Sequence, residues 1–414
     1  MADRDRAIGA QLMDVLAVRP LRILLVHPGA SFSTADVFAG LDYGLQCHGI
    51  QVMPYRLDQR ITWAHKWLHQ MWRFKKKRSP DLPKPGPQDV VYQAGCDALN
   101  IALRHRVDVV LVVSCMFMHP DVLVMMKRAG LKVVVLFTES PYDEEQEMKI
   151  AGLMDGETRV VDGCWTNERA SVAHLRTVNP NVGYLPHAFH PEKHFISARQ
   201  LGELPSHDVV FVGSGFNERI AFFNAIDWTG IDLGLYGSWK GLGLKKQAMA
   251  CVREGNITND KAASLYRRAK IGLNLYRTSK GWGPRAPSIV HAESLSPRAY
   301  ELAACGSFHL SEYRAEVPEM FGACVPTFTS PSEAEALIRT WLAKPDERAA
   351  VAAKLPACVA EHSWDQRVTT VIGDLQRLLM PPHTGDETWP YTPDEKGSCI
   401  SARPEQAPQP TLSS

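Results

Sequence analysis

Glu293 and Glu301 are separated by seven residues, and between them stands Ser296-Pro297-Arg298. Ser is favoured as a helix N-cap and Pro at the first helical position. Gly306 fits a C-terminal stop, so the pattern predicts a helix opening near Ser296. The free first-turn N–H groups and the positive dipole end of such a helix make an anion site. Arg298 would add a forked, permanently charged donor set, and a diphosphate fits there. Glu293 lies in the loop before this helix and Glu301 one turn into it. A carboxylate is an acceptor pair suited to sugar or ribose hydroxyls. Carboxylates also gather at helix N-termini because the dipole favours them, and the spacing alone leaves both readings open.

Other strand ends carry a second set of candidates. In FVGSGFNER the turn Gly213-Ser214-Gly215 lets a phosphate approach the backbone closely, and Arg219 can reach the same phosphates. Two glycines also occur in plain strand-to-helix turns. Lys280 is a further basic candidate. In the first half, HPGASFSTAD follows a strand, and its Gly29 permits close approach of a ligand. That loop is not a G-x-G-x-x-G fingerprint, which argues against a dehydrogenase. Glu139 ends another strand and is a candidate for the cleft, whereas Asp143, Glu144 and Glu145 read as a solvated first helical turn. His119, His187 and His190 lie in strand-end loops and read as structural. Between Ile61 and Gly86, Trp63, Trp67 and Trp72 are interleaved with Lys66, Arg73, Lys75, Lys76, Lys77 and Arg78. Basic charge mixed with aromatic rings suits a phosphate-bearing polymer or an anionic membrane. The other reading is a helix with its Trp face inward and a solvated basic end. Gly29, Glu139, Lys75 and Lys76 are the acceptor-side candidates.

These residues need a scaffold of strands alternating with helices. LRILLVH, IQVMPY, VDVVLVVS, LKVVVLFTES, GCWTNE and NVGYLP read as strands of a first unit. DVVFVGSG, IDLGLYG, KIGLNLY and SFHLSEY read as those of a second. Alternation of this kind indicates two doubly wound, Rossmann-like α/β domains, with ligands beyond the carboxyl ends of the strands. The pattern lapses between Phe195 and His207, which places the units at 1–195 and 207–380. Helical stretches at Ser332–Leu342, Glu347–Ala360 and Asp365–Leu379 close the second, the last returning toward the first. The Pro- and Thr-rich segment 381–414 reads as a disordered tail.

Composition excludes several classes. Lys+Arg total 46 against Asp+Glu 45, so no global charge argues for nucleic acid or membrane, and any basic footprint is local. The nine cysteines form no C-x-x-C pair, which argues against a zinc site and for reduced thiols. The N-terminus carries no apolar run of signal-peptide length, and a cytoplasmic protein is expected.

SPRAYELAACGSFHLSEY resembles the S-x-R-x-F-E-x-x-A-C-G pattern of the CgeB-like spore-maturation glycosyltransferases, with Tyr300 where that pattern has Phe. The pair Glu293/Glu301 is similar to the Glu, seven residues, Glu signature of retaining GT-B glycosyltransferases. FVGSGFNERIAFF, YGSW, SLYRRAKIGLNLY, CWTNE and YLPHAFHPEKHF are also similar to segments of the CgeB-like family. The resemblance spans roughly residues 105 to 380. It implies the GT-B fold and transfer of a sugar from a nucleotide-sugar donor, with retention. It assigns Glu293 to the donor sugar and Glu301 to the ribose. Glu293 and Arg298 are thus the catalytic candidates, and Gly213, Ser214, Gly215, Arg219, Ser296, Pro297 and Glu301 the donor-binding ones. No D-x-D triad stands among these motifs, so neither metal nor cofactor is expected beside the nucleotide-sugar substrate. The acceptor is left open among DNA, lipid, protein and small molecule. A nucleotide-sugar epimerase and a non-catalytic binding or assembly protein on the same fold are the competing readings.

Overall fold

The computed structural model describes residues 19–29, 35–114, 117–138, 156–195, 204–239, 241, 243–255, 257–278 and 292–380. Short runs rich in Val, Leu and Ile, buried on both faces, form β1 (Arg22–His27), β3 (Val109–Val113) and β4 (Lys132–Phe137), and the first sheet is completed by the partly exposed edge strand β2 (Gln51–Arg56) and by β5 (Gly163–Thr166) and β6 (Val182–Tyr184). They pair in parallel in the order β2-β1-β3-β4-β5-β6. A second parallel sheet contains β7 (Val209–Val212), β8 (Leu233–Tyr236), β9 (Ile271–Asn274), β10 (His309–Glu312) and β11 (Thr327–Phe328). Its order is β11-β10-β9-β7-β8. Each sheet reverses direction of winding once, between β1 and β3 and between β7 and β9. A ligand crevice opens at such a reversal, beyond the strand C-termini.

Period-two alternation splits each sheet between two cores. In the first, Leu24, Val26, Val110 and Val112 pack with α3 (Pro87–Arg104) and α4 (Pro120–Arg128). Ile23, Leu25, Val109 and Leu111 face α1 (Ala35–Cys47) and the terminal helix α15 (Trp364–Leu379). So the last helix belongs to the first domain's core. Gly40 and Gly44 make this possible, because a Cβ on either would strike Trp364 or Val368. In the second sheet, Phe211, Leu235 and Leu273 meet α7 (Asn217–Ala225) and α12 (Pro331–Leu342). The other face packs α9 (Asn259–Arg268) and α10 (Pro297–Ala304) through Leu265, Tyr266 and Leu302. Shorter helices are α5 (Val172–Val178), α6 (Pro191–His194), α8 (Lys246–Ala250) and α11 (Glu316–Phe321).

Two details differ from the sequence reading. The stretch expected as one helix over Glu347–Ala360 is two, α13 (Pro345–Ala352) and α14 (Leu355–Cys358). The ring of Pro356 would collide with the carbonyl of Ala352, where α13 ends. In α2 (Leu57–Lys76) the tryptophans do not share an inward face. Trp72 turns in and donates its Nε1–H to the Leu82 carbonyl at 3.0 Å, while Trp63 and Trp67 point to solvent.

Candidate functional site

Helix α10 opens at Pro297 with Ser296 before it, as the sequence reading has it, but Ser296 makes no side-chain cap. Its Oγ donates to Asn274 Oδ1 at 2.8 Å, tying the helix start to the end of β9. Arg298, in the first turn, turns back toward the β7/β9 reversal. Its Nε donates to the Val212 carbonyl at 2.9 Å and its Nη1 to the Leu275 carbonyl at 3.2 Å. Arg219 on α7 reaches the same point from beneath, donating to the Ser214 carbonyl and the Leu275 carbonyl, each at 3.0 Å. The two guanidiniums lie over the Phe211 ring, at 4.6 and 5.3 Å from its centroid. Neither forms an ion pair among the described residues. Burial, with the charge of Arg298 added, pushes Arg219 down to about 9. Two cations held on carbonyl oxygens, with no ion pair among the described residues and only the more distant charges of Glu218 and Glu312 opposing Arg219, favour an anion beside them.

Gly213 and Ser214 follow β7 at this point, so the predicted glycine turn and both arginines converge. A Cβ on Gly213 would stand 2.7 Å from Arg298 Nη2, which explains the glycine. Gly215 is pressed against the Trp239 ring, where a Cβ would come within 2.7 Å.

The two glutamates have different surroundings. Glu301 projects from α10 into a narrow cavity of ≈ 10 Å³, room for about one water, bounded by Asp36, His190, Lys193, Asn259 and Trp364. The cavity lies between the domains, and Asn259 Nδ2 donates across it to Asp36 Oδ1 at 2.6 Å. The Glu301 carboxylate accepts no hydrogen bond from the described residues. Burial, reinforced by the charge of Asp36, pushes it up to about 8.

Glu293, by contrast, is held by the first domain. Arg169, just beyond β5, donates its Nε to Glu293 Oε2 at 2.9 Å and its two Nη to Glu319 at 2.6 and 3.1 Å. The Arg169 backbone N–H donates to Ser294 Oγ at 2.8 Å. Glu168, 2% exposed, accepts from the Glu293 and Ser294 backbone N–H groups at 2.9 and 3.4 Å. Tyr184, at the end of β6, donates to Glu316 and to Ser294. Arg314 closes the set, donating to the Ser294 carbonyl and pairing with Glu168. Thus the loop that carries Glu293 is moored to the other domain by a largely buried ionic lattice. Reading the sequence missed Glu168 and Arg169. Their one signal is position, since they follow a strand end in CWTNER.

At the first domain's reversal, His27 ends β1, 3% exposed and stacked on Phe38 at 3.6 Å. Burial and the nearby Arg56 lower it to about 4, and neither ring nitrogen has a hydrogen-bond partner among the described residues. Gly29 has φ 133° with its Cα against Asp58, so a side chain there has neither the backbone angle nor the space. Ser114, after β3, adopts φ 52°, a strained conformation for a residue with a Cβ. His119 caps α4 by accepting from the Asp121 N–H at 3.3 Å, and His190 packs on Tyr43. Lys75 and Lys76 end α2, roughly 27 Å by helical rise from its start beside Gly29, so they do not join the cleft residues. Glu139 and Lys280 lie outside the described residues. Among the described residues, no group of three or more His, Cys, Asp and Glu is placed to hold a metal, and no helix is long and apolar enough to cross a membrane.

Residues 218–373, within the second domain, match the family model described as glycosyl transferase-like. No curated protein matches the chain in sequence. Solved structures match its fold. Trehalose-6-phosphate synthase, from a study of glycosyl transfer with retention using bisubstrate glycomimetics, is 9% identical with a TM-score of 0.56, covering 86% of this chain and 99% of that one. A structure described as trehalose-6-phosphate from E. coli bound with UDP-2-fluoro glucose is 9% identical with a TM-score of 0.55 and the same coverage. A UDP-N-acetylglucosamine 2-epimerase-type protein from Listeria monocytogenes is 8% identical with a TM-score of 0.53, covering 87% of this chain and 96% of that one. The fold is GT-B, two parallel-sheet α/β domains of six and five strands.

Proposed function

We propose that this chain transfers a sugar from a nucleotide diphosphate donor, in the cleft between its domains, with retention at the anomeric carbon. The observation that carries the reading is the convergence of Arg298, Arg219, the Gly213-Ser214 turn and the α10 N-terminus at the β7/β9 reversal, two cations with no ion pair among the described residues. As the bond from the anomeric carbon to the phosphate oxygen breaks, negative charge builds on the diphosphate. Donors already aimed at that position stabilise it without reorganisation. The acceptor hydroxyl forms the new bond to the anomeric carbon on the face that the diphosphate leaves, and its proton passes to the departing phosphate oxygen. Glu293, fixed by Arg169, faces the donor sugar. Glu301 accepts from ribose hydroxyls, which replace the proton that its raised pKa otherwise retains.

In this reading the nucleotide sugar is substrate, no cofactor takes part, and the arginines and helix dipole supply the charge that a metal supplies elsewhere. The setting in this reading is the cytoplasm. The acceptor enters from the first domain, a reading supported by the His27 ring nitrogens, which have no partner among the described residues, and by the turn at Gly29. Lys75 and Lys76 would meet only an acceptor that extends over the α2 surface. The CgeB-like motif supports the same assignment. An epimerase acting on the same donor is the second reading, favoured by the fold likeness to the 2-epimerase-type protein.

The test is a thermal-shift screen with UDP-, GDP-, ADP- and dTDP-sugars, since a ligand of the native state raises the unfolding midpoint. Product analysis of the stabilising donor follows, with and without candidate acceptors. Glu293→Gln and Glu301→Gln are expected to fold and to lose most turnover. Parent-like turnover in both removes the donor assignment, and an epimerised free donor favours the second reading.

A further inference from the structure

Helix α2 buries one face against its own domain through Leu57, Ile61, Ala64 and Leu68. Its need for a core is met there. Yet Trp63, Trp67 and Phe74, spaced by four and seven residues, form a second apolar stripe on the solvent side. They are 53%, 40% and 58% exposed, an aromatic line roughly 16 Å long by helical rise. The two indoles lie nearly parallel, 8° apart with centroids separated by 6.1 Å, and Arg78 covers part of Phe74 at 5.6 Å. Beside the stripe run Lys66, Arg73 and Lys77, spaced by seven and four residues, hence on one adjoining row. All three are exposed and form no ion pair among the described residues. A fold has no use for this arrangement, because large exposed aromatics collected on one helix face mark an interaction site.

We infer that the outer face of α2 docks the first domain onto an anionic lipid bilayer. Aromatic rings in a central line, with cations along its flank, match the interface of such a bilayer. The rings enter the headgroup boundary and the ammonium and guanidinium groups meet lipid phosphates. The stripe stands on the convex side of a helix, whereas single-stranded nucleic acid is gripped in a groove that tracks its backbone. This inference does not depend on the transfer reaction, since it rests on a surface remote from the β7/β9 reversal.

The test uses the full chain in sedimentation with vesicles of phosphatidylcholine alone and of equimolar phosphatidylcholine and phosphatidylserine. The parent is expected to sediment with the mixed vesicles only, with the tryptophan emission shifted to the blue. Each lost cation near such a surface weakens partitioning about fivefold, so Lys66→Ser/Arg73→Ser/Lys77→Ser lowers it on the order of a hundredfold. Trp63→Ser/Trp67→Ser/Phe74→Ser retains the charge attraction at low salt and loses the binding that persists at high salt. Both variants unfold at the parent's temperature, because the altered side chains are exposed. A parent that ignores mixed vesicles at low salt, or variants that bind as it does, overturns the inference. So does a parent that prefers single- or double-stranded DNA to the vesicles in direct competition, which would make the face a nucleic-acid surface.

Discussion

Arg169 is the residue whose loss should be felt in both domains. In Arg169→Ala the protein loses three side-chain hydrogen bonds, one to Glu293 and two to Glu319. Those carboxylates are 45% and 55% exposed, so water screens the bonds, although Arg169 itself is only 18% exposed. At ~0.5–1 kcal/mol for each such bond, the three contribute about 2 kcal/mol. Glu168 and Glu316 are left facing each other with one cation fewer, a further cost of about 1 kcal/mol. The sum of about 3 kcal/mol should lower the thermal midpoint by about 5 °C. The catalytic effect is larger, because Glu293 loses its anchor, and a displacement of about 1 Å costs on the order of a hundredfold in rate. Turnover of the donor found in the thermal-shift screen, with its dissociation constant measured by calorimetry, separates the effects. The expected result is a lowered kcat with donor affinity little changed, partly restored in Arg169→Lys. A variant with parent midpoint and parent kcat would show that the interdomain lattice does not hold the donor loop.

Glu301→Gln should flatten the pH dependence of stability. The native carboxyl keeps its proton up to about 8, whereas the unfolded one loses it near the ordinary carboxylate value, so parent stability falls as pH rises through that window. Above it the variant should melt higher than the parent, as thermal unfolding across a pH series will read. Arg298→Ala should cut kcat on the order of a hundredfold or more, the usual consequence of removing a donor aimed at developing charge. Arg219→Ala should add destabilisation, since it empties a buried position over Phe211 and takes one of two donors from each of the Ser214 and Leu275 carbonyls. Retained activity in both variants, together with loss on adding EDTA, would assign the role to a metal. Gly213→Ala should displace the Arg298 guanidinium and approach the rate of Arg298→Ala, with a melting temperature closer to the parent's. A parent-like rate in this variant would show that Arg298 acts elsewhere.

Local rules carried much of this into view. The runs LRILLVH and VDVVLVV are apolar at consecutive positions because both sheet faces are covered, and that legible feature led to a parallel sheet. Ser296-Pro297 announced a helix start, and the helix is there. Period and composition cannot say what meets across the fold. Arg169 and Glu293 are 124 positions apart, and nothing in either neighbourhood marks the pair. Arg219 was chosen for its proximity to a glycine turn, but its meeting with Arg298 on one carbonyl follows from strand order. The orientation of the tryptophans was undetermined for a related reason. Trp63 and Trp67 share one side of a 3.6-residue helix and Trp72 falls on another, and which side is buried depends on where α3 packs.

The chain passes between the domains twice. It leaves the first beyond Phe189 and re-enters it at Ser363, and these two points are hydrogen-bonded to each other, Phe189 N–H to the His362 carbonyl at 3.2 Å and Trp364 N–H to the Phe189 carbonyl at 3.0 Å. Two adjacent tethers remove most of the freedom that a single tether leaves. Sliding and twisting of one domain past the other would shear this junction, whereas rotation about a line through it would not. Opening is thereby reduced to one swing, like a door on paired hinges. The Asp36–Asn259 contact shares a small cavity with His190 and Trp364 and so stands beside this junction, and admission of a donor then requires the cleft to part away from it while the hinge edge stays shut. The same paired tether forbids dissection, because a second domain cut free at its own first strand would carry α15 with Trp364 and Val368 stripped of the sheet they cover.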